Sequence, residues 1–455
     1  MVRSPSGWKD ESSVKQSLER FVQRKDGILY IGRAIIFIGY IYVRVITTLS
    51  ALKSPRELAD TPIYLRISSQ PILGPEFLSV DRPFVFPLLL QIVHQDFASA
   101  AIIQLVVALL AWGLLALAIS ASLRPPWLRL LSFFIILAVG TVRHLAGWDS
   151  VMMTESLSLS MLGLFIASGI WLLHGWKYHK VVALCAVAFL FAFARDTNAY
   201  LLIMFAGLML IAVLFRWMNP RALVLAGVFG MFFFVSDLNA NTSQRWFFPL
   251  VNVIGKRILP YTESIQNLAA CGMPITPQLL SLADTFANGN DRAFFNDPAL
   301  AGFRVWVAED GKTCYIRWLV TEPKSVGQAF SEFDQLIYFE NVNWYFSKRY
   351  IDPLPAHVER VLYPVYHVTW LWAGLTITAF IAVAKRFWRD NALWAIFIML
   401  CLTIFPHLFI TWHGDAMAPN RHAVSVGMQL ALAMWLLVFL VLEKVASYLS
   451  RAKPG

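Results

Sequence analysis

The sequence predicts an all-α polytopic membrane protein with about ten transmembrane helices. Three observations predict it. The 455-residue chain is 58% hydrophobic and only 15% charged, with a mean hydropathy of +0.59, whereas a soluble domain carries roughly 25% charged residues. Its apolar residues come in successive runs that approach the thickness of a bilayer. The loops between those runs alternate between strongly basic and mixed in charge, the pattern that orients helices across a membrane. A formal net charge of +10 would point to nucleic acid in a soluble protein. Here the basic residues sit in short loops between apolar runs, so the partner is the lipid bilayer and no nucleic acid is expected.

The elements follow in order. Residues 1–26 read as a cytoplasmic amphipathic N-terminal segment, in which Val14, Leu18, Phe21 and Val22 recur at helical spacing among charges over 11–26, as in a helix lying on the inner leaflet. This start is polar, so no cleavable signal is expected and the first apolar run is an anchor. Spanning helices are read at 27–50, 97–121, 127–142, 151–173, 180–194, 199–215, 222–236, 366–384, 392–411 and 423–442. Several fall short of the roughly 20 residues that a span requires, so their ends must be buried or capped. A transmembrane catalytic module covers 27–236, including a first outer loop at 51–96. Within that loop, 84–96 (FVFPLLLQIVHQD) is apolar but too short to span. It follows Pro83, a good helix start, and reads as an interfacial or re-entrant helix. Residues 237–365 are polar enough for a small extracytoplasmic domain, inserted before the last three helices. The C-terminal transmembrane helices and a cytoplasmic tail fill 366–455.

Orientation comes from the loops. Arg124 and Arg129, Lys177 and Lys180, Arg216 and Arg221, and Lys385, Arg386 and Arg389 form one set, with Lys444, Arg451 and Lys453 in the tail. The positive-inside rule makes this set cytoplasmic, which places both termini inside and the protein in the cytoplasmic (inner) membrane. Cys185 and Cys401 then lie in apolar helices as small hydrophobes. Cys271 and Cys314 lie together in the outer domain, where an oxidising compartment favours a disulfide over two separately buried thiols.

Every outer loop contributes both acids and bases. Asp60, Arg66, Asp81 and Arg82 come from the first. Arg143, His144, Asp149 and Glu155 lie between the third and fourth spans, Arg195 and Asp196 between the fifth and sixth, and His413, Asp415, Arg421 and His422 between the ninth and tenth. Ionisable groups at membrane depth are costly and usually mark a site; the bland alternative is salt bridges tying helix ends together. A carboxylate there can act as general base on a hydroxyl. Arginines and histidines can clamp a phosphate. The chain has neither a G-x-G-x-x-G before a helix nor a P-loop, so a nucleotide donor is not expected. No His, Cys and carboxylate spacing assigns a tight metal site. Cofactors stay unassigned, with a weakly held divalent cation between an acid and a phosphate left open.

In order and type these features resemble the C-type (GT-C) integral-membrane glycosyltransferases, in particular bacterial relatives of the protein O-mannosyltransferases and the lipid A aminoarabinose transferases. The resemblance rests on ADTPIYLRIS with Asp60 and Tyr64, RPFVFPLLL from Arg82, WDSVMMTESLSLSMLGLF with Asp149 and Glu155, ARDTNAY with Arg195, and GDAMAPNRH with Asp415, Arg421 and His422. It covers the seven N-terminal spans best. It implies a GT-C-like fold and transfer of a sugar from a polyprenyl-phosphate donor to a lipid, glycan or protein acceptor, with the active site facing the extracytoplasmic side. It also implies Asp60 as base, Asp149 and Glu155 as further catalytic acids, and Arg195, Arg421 and His422 on the donor phosphate. Tyr64, Arg82, Arg143, His144, Asp196 and Asp415 complete the candidate set. The sequence departs from the pattern in having Asp60 alone, without the acidic pair of the mannosyltransferases, and in placing its large outer segment before the last three spans. Asp60 has a second reading as a helix cap, because Asp-Thr-Pro also suits a helix start. A membrane transporter or a flippase for lipid-linked glycans is the alternative function. It calls for ionisable groups near the midplane and, often, two similar halves.

Overall fold

In the computed structural model, which describes residues 25–72, 74, 77, 82–337 and 344–451, 77% of the protein is helical, with no strand among the described residues. The N-terminal segment to residue 24 and Asp81 lie outside the described residues. The apolar helices are α1 (Lys25–Leu52), α4 (Phe97–Ala121), α5 (Pro126–Val139), α7 (Glu155–Leu173), α8 (Tyr178–Ala192), α9 (Asp196–Leu214), α10 (Ala222–Thr242), α11 (Val368–Ala384), α12 (Leu393–Gly414) and α13 (Pro419–Arg451). Between them, α2 (Thr61–Ser68), α3 (Val85–Ile92) and the single turn α6 (Arg143–Ala146) lie in the loops. Helices therefore form at each of the ten expected places, but not all are long enough to cross a bilayer.

Among the described residues, seven helices are long and apolar enough to span: α1, α4, α7, α9, α10, α12 and α13. An eighth is possible only as a broken element, because α5 and the turns over 143–150 are bent by 58° relative to each other. The expectation of ten thus reduces to seven or eight by length. The reason is the rise of 1.5 Å per residue: helices of 14, 15 and 17 residues (α5, α8 and α11) reach only about 21–26 Å, against a hydrocarbon core of about 30 Å. The protein is a multi-pass helical membrane protein on the seven alone.

The helices run back and forth between two ends. At one end the starts of α7, α9 and α13 meet, since Arg195 and Arg421 both approach Glu155. At the other, the ends of α4 and α13 and the start of α12 meet: Arg124 donates its backbone N–H to Glu443 at 2.7 Å, and Asn391 donates to Glu443 at 2.8 Å and to the Ser122 carbonyl at 3.0 Å. One large core unites the membrane helices, with Leu115, Ile119, Phe191, Leu201, Phe397 and Leu430 all inaccessible.

The polar segment at 237–365 has two parts. Residues 250–318 build a second core around Phe294, Phe303 and Trp306, joined by Ala416 from the α12–α13 loop. Cys271 and Cys314 are paired there as a disulfide, with Cα atoms 6.0 Å apart. Farther along, Phe333, Phe346 and Tyr363 pack into the core of the membrane helices instead. The helix α3 forms as a short element behind Pro83, ends where His94 and Gln95 take left-handed backbone, and hands over to α4, whose first turn is capped by Asp96.

Candidate active site

Local pairing positions Asp60. After α1 the chain turns and lies along 150–152: Arg56 donates its backbone N–H to the Ser150 carbonyl at 2.8 Å and accepts from Met152 at 2.9 Å. Thr61 accepts from the Leu58 N–H at 2.9 Å and donates to the Met152 carbonyl at 3.2 Å. The loop before α2 is thereby fastened beside the segment that leads into Glu155. Asp60 holds the N-cap position of α2, yet its side chain makes no capping bond. The cap reading fails, and the carboxylate is free to turn elsewhere.

It turns to two arginines. Arg82 donates to one carboxylate oxygen at 2.7 Å and Arg421 to the other at 3.1 Å. Arg421 also lies 3.4 Å from Glu155, which is 3.5 Å from Arg195. Arg195 in turn touches Nδ1 of His422. Five separate stretches of sequence thus supply one continuous chain of charges. Exposure falls along it, from 31% at the Arg82 side chain to 19% at Asp60 and 1% at Glu155. Tyr64 is buried one turn beyond Asp60, edge-on to Phe86. Burial pushes its hydroxyl up to about 12, which keeps it neutral. Burial alone would raise the Asp60 carboxyl, but the charges of Arg82 and Arg421 outweigh this and hold it below the usual aspartate range.

The group has a net positive charge: three arginines (Arg82, Arg195, Arg421) against two carboxylates (Asp60, Glu155) leave +1 with His422 neutral. It also sits at the N-terminal ends of three helices. Glu155 is the first residue of α7, Arg195 the N-cap of α9, and Arg421 the third residue of α13. Helix N-termini favour anions, so an arginine in the first turn of a 33-residue helix works against its helix. Such local conflicts concentrate at functional sites. One oxygen of the buried Glu155 and Nε2 of His422 have no hydrogen-bond partner among the described residues.

The other candidates are placed elsewhere. Asp149 is bonded to Arg44 from α1 and accepts from Ser156 at 2.6 Å. Arg44 also donates to the Gly140 carbonyl. This internal pair ties α1 to the α5–α7 connection and touches none of the arginines around Asp60. Arg143 and His144 form a second group: Arg143 reaches Asp352 at 2.7 Å, and His144 lies 3.4 Å from Glu359 and stacks on Tyr363. Asp196 pairs with Arg245 at 3.2 Å. Asp415 accepts from Asn252 at 3.0 Å and from the Met417 N–H at 2.8 Å, which docks the second core on the α12–α13 loop. No group of three or more His, Cys, Asp or Glu able to hold a metal converges among the described residues.

Sequence reasoning missed Arg44, Asp352, Glu359 and Arg245. Arg44 had a readable signal, since a lone arginine within an apolar run needs a buried partner. It also missed His407, which is fully buried in α12 and accepts at Nδ1 from the side-chain amide N–H of Gln429 of α13 at 2.7 Å.

A cavity of about 330 Å³ lies at the opposite end of the bundle, lined by residues such as Phe165, Leu173, Met209, Trp217 and Phe229. Neither Asp60 nor Arg195 lines it. Compared with known proteins, the chain matches no protein-family model, no curated protein and no solved structure.

Proposed function

We propose that the protein is a glycosyltransferase that moves a sugar from a polyprenyl-phosphate donor to an acceptor hydroxyl at the end of the bundle where Asp60 lies. The observation that carries this reading is the net-positive arginine group built on three helix N-termini around two carboxylates. A lipid phosphate at headgroup depth is the anion that such a place can meet.

In this mechanism the donor phosphate draws Arg195, Arg421 and His422 towards itself. Competition for Arg421 and Arg82 frees Asp60 from its partners, which raises its basicity as the acceptor arrives. The acceptor oxygen attacks the anomeric carbon and its proton passes to Asp60. The bond from the anomeric carbon to the phosphate oxygen breaks, and its electron pair leaves with the phosphate, whose charge the arginines neutralise. Glu155 keeps Arg195 and Arg421 in place from below.

The ten-crossing, GT-C-like reading belongs to this proposal. Support for counting α8 as a crossing comes from the Glu155–Arg195 contact: the chain that leaves down α7 must return through α8 before α9 begins. The basic loops at the other end support an outward-facing site. Reporter fusions at 125, 178, 218 and 387 are expected to read cytoplasmic and a fusion at 300 extracytoplasmic; a cytoplasmic signal at 300 overturns the orientation.

The chemical test is Asp60→Asn, which keeps the size and removes the base. It is expected to lower sugar transfer from a polyprenyl-phosphate donor by about 10²–10⁴-fold while leaving donor binding in place. Near-normal turnover removes Asp60 from the mechanism.

A further inference from the structure

We infer that the cavity at the end of the bundle opposite Asp60 holds an acyl chain of an anionic glycerophospholipid, with the headgroup on the surrounding basic loops. The cavity is walled by α7, α8, α9, α10 and α12 and measures about 330 Å³, within the range of ligand pockets. Its lining is almost entirely apolar, with Asn219 as the exception. It reaches the surface, because Leu173 and Trp176 on its rim are 38% and 36% exposed. An apolar slot in a membrane protein that opens sideways at a helix end offers a lipid tail the same environment as the bilayer, and adds shape.

The rim selects the headgroup. Lys177 follows Trp176, and Arg216 and Arg221 flank the lining residues Trp217 to Asn219. Trp217 also packs against Trp388 at 5.4 Å, which brings Arg389 to the same edge. These four cations are exposed, and none forms an ion pair among the described residues. The α7–α8 and α9–α10 connections contain no acid at all. Asp390, the one acid of the α11–α12 connection, is 3.7 Å from Lys444. Positive charge without counter-charge, directly above an apolar slot and beside two tryptophans, fits a phosphate diester on two acyl chains. A zwitterionic lipid would leave that charge unmatched.

The test uses the purified full-length protein in detergent, supplied with equimolar phosphatidylglycerol and phosphatidylcholine and read by native mass spectrometry. The wild type is expected to retain one phosphatidylglycerol with a preference of about fivefold or more over phosphatidylcholine. Gly169 lines the cavity and a β-carbon there meets only Ile396, at an ordinary 3.8 Å, so Gly169→Leu adds bulk to the cavity wall and is expected to lower retention of both lipids. The exposed double change Arg216→Gln with Arg221→Gln is expected to abolish the preference and leave phosphatidylcholine retention as it was. Equal retention of the two lipids by the wild type overturns the inference, as does unchanged retention in Gly169→Leu. Displacement of phosphatidylglycerol by added polyprenyl phosphate also overturns it, because the slot would then belong to the isoprenoid lipid.

Discussion

The two ends of the helical bundle are both rich in arginine and lysine, and they use them in opposite ways. Around Asp60, Arg195 and Arg421 are largely withdrawn from solvent and each is matched to a carboxylate. Around Trp217, Arg216 and Arg221 are exposed and unmatched. The difference teaches how to read charge in a membrane protein. An exposed, acid-free loop is accounted for by topology and by the lipid surface. A buried charge needs a specific partner, because desolvation costs several kcal/mol per ion, and a buried group carrying one cation more than its anions has capacity for another anion.

The comparison is broken or sharpened first by stability. Arg44 and Asp149 have side chains only 1% and 2% exposed, so Asp149→Ala leaves a buried arginine without its carboxylate and is expected to cost about 3–5 kcal/mol. Thermal unfolding in detergent reads this directly. Arg216→Gln at the far end is expected to stay within about 0.5 kcal/mol of wild type. Equal losses in the two variants would erase the distinction between the ends. Asp149→Ala also separates a positioning role from a catalytic one: whatever protein still folds is expected to keep its transfer rate per folded molecule, whereas Asp60→Asn protein is expected to fold normally and lose transfer.

A smaller effect concerns pH. Asp60 binds its proton less tightly in the folded protein than in the unfolded chain, so the unfolded state takes up more protons in acid and stability falls as pH drops. The contribution of its two arginine contacts is full above the ordinary aspartate value of about 3.9. It is lost as the pH falls through the lower folded value. Between pH 6 and pH 3, Asp60→Asn is expected to show a shallower fall in unfolding temperature than wild type, and the Arg216→Gln, Arg221→Gln double variant the wild-type slope. An unchanged slope in Asp60→Asn would mean that the arginines do not hold this carboxylate.

Much of this protein was legible in the sequence. The apolar runs name the helices because hydropathy and helical hydrogen bonding are local, and in lipid every backbone group must be satisfied within its own segment. The polar residues at their ends named Asp60, Arg82, Glu155, Arg195, Arg421 and His422 as candidates for the same reason. Only the tertiary structure decided which candidates belong together. Asp60 and Arg421 are 361 residues apart in the chain, and no local pattern says that Arg421 chooses Asp60 and Glu155, or that Asp149 is taken by Arg44 and Arg143 by Asp352. Those choices follow from how the helices pack and which ends they bring level. Residue counts mark α5, α8 and α11 as too short to span by length, whereas the meeting of Glu155 with Arg195 comes from how α7 and α9 pack, which no residue count contains.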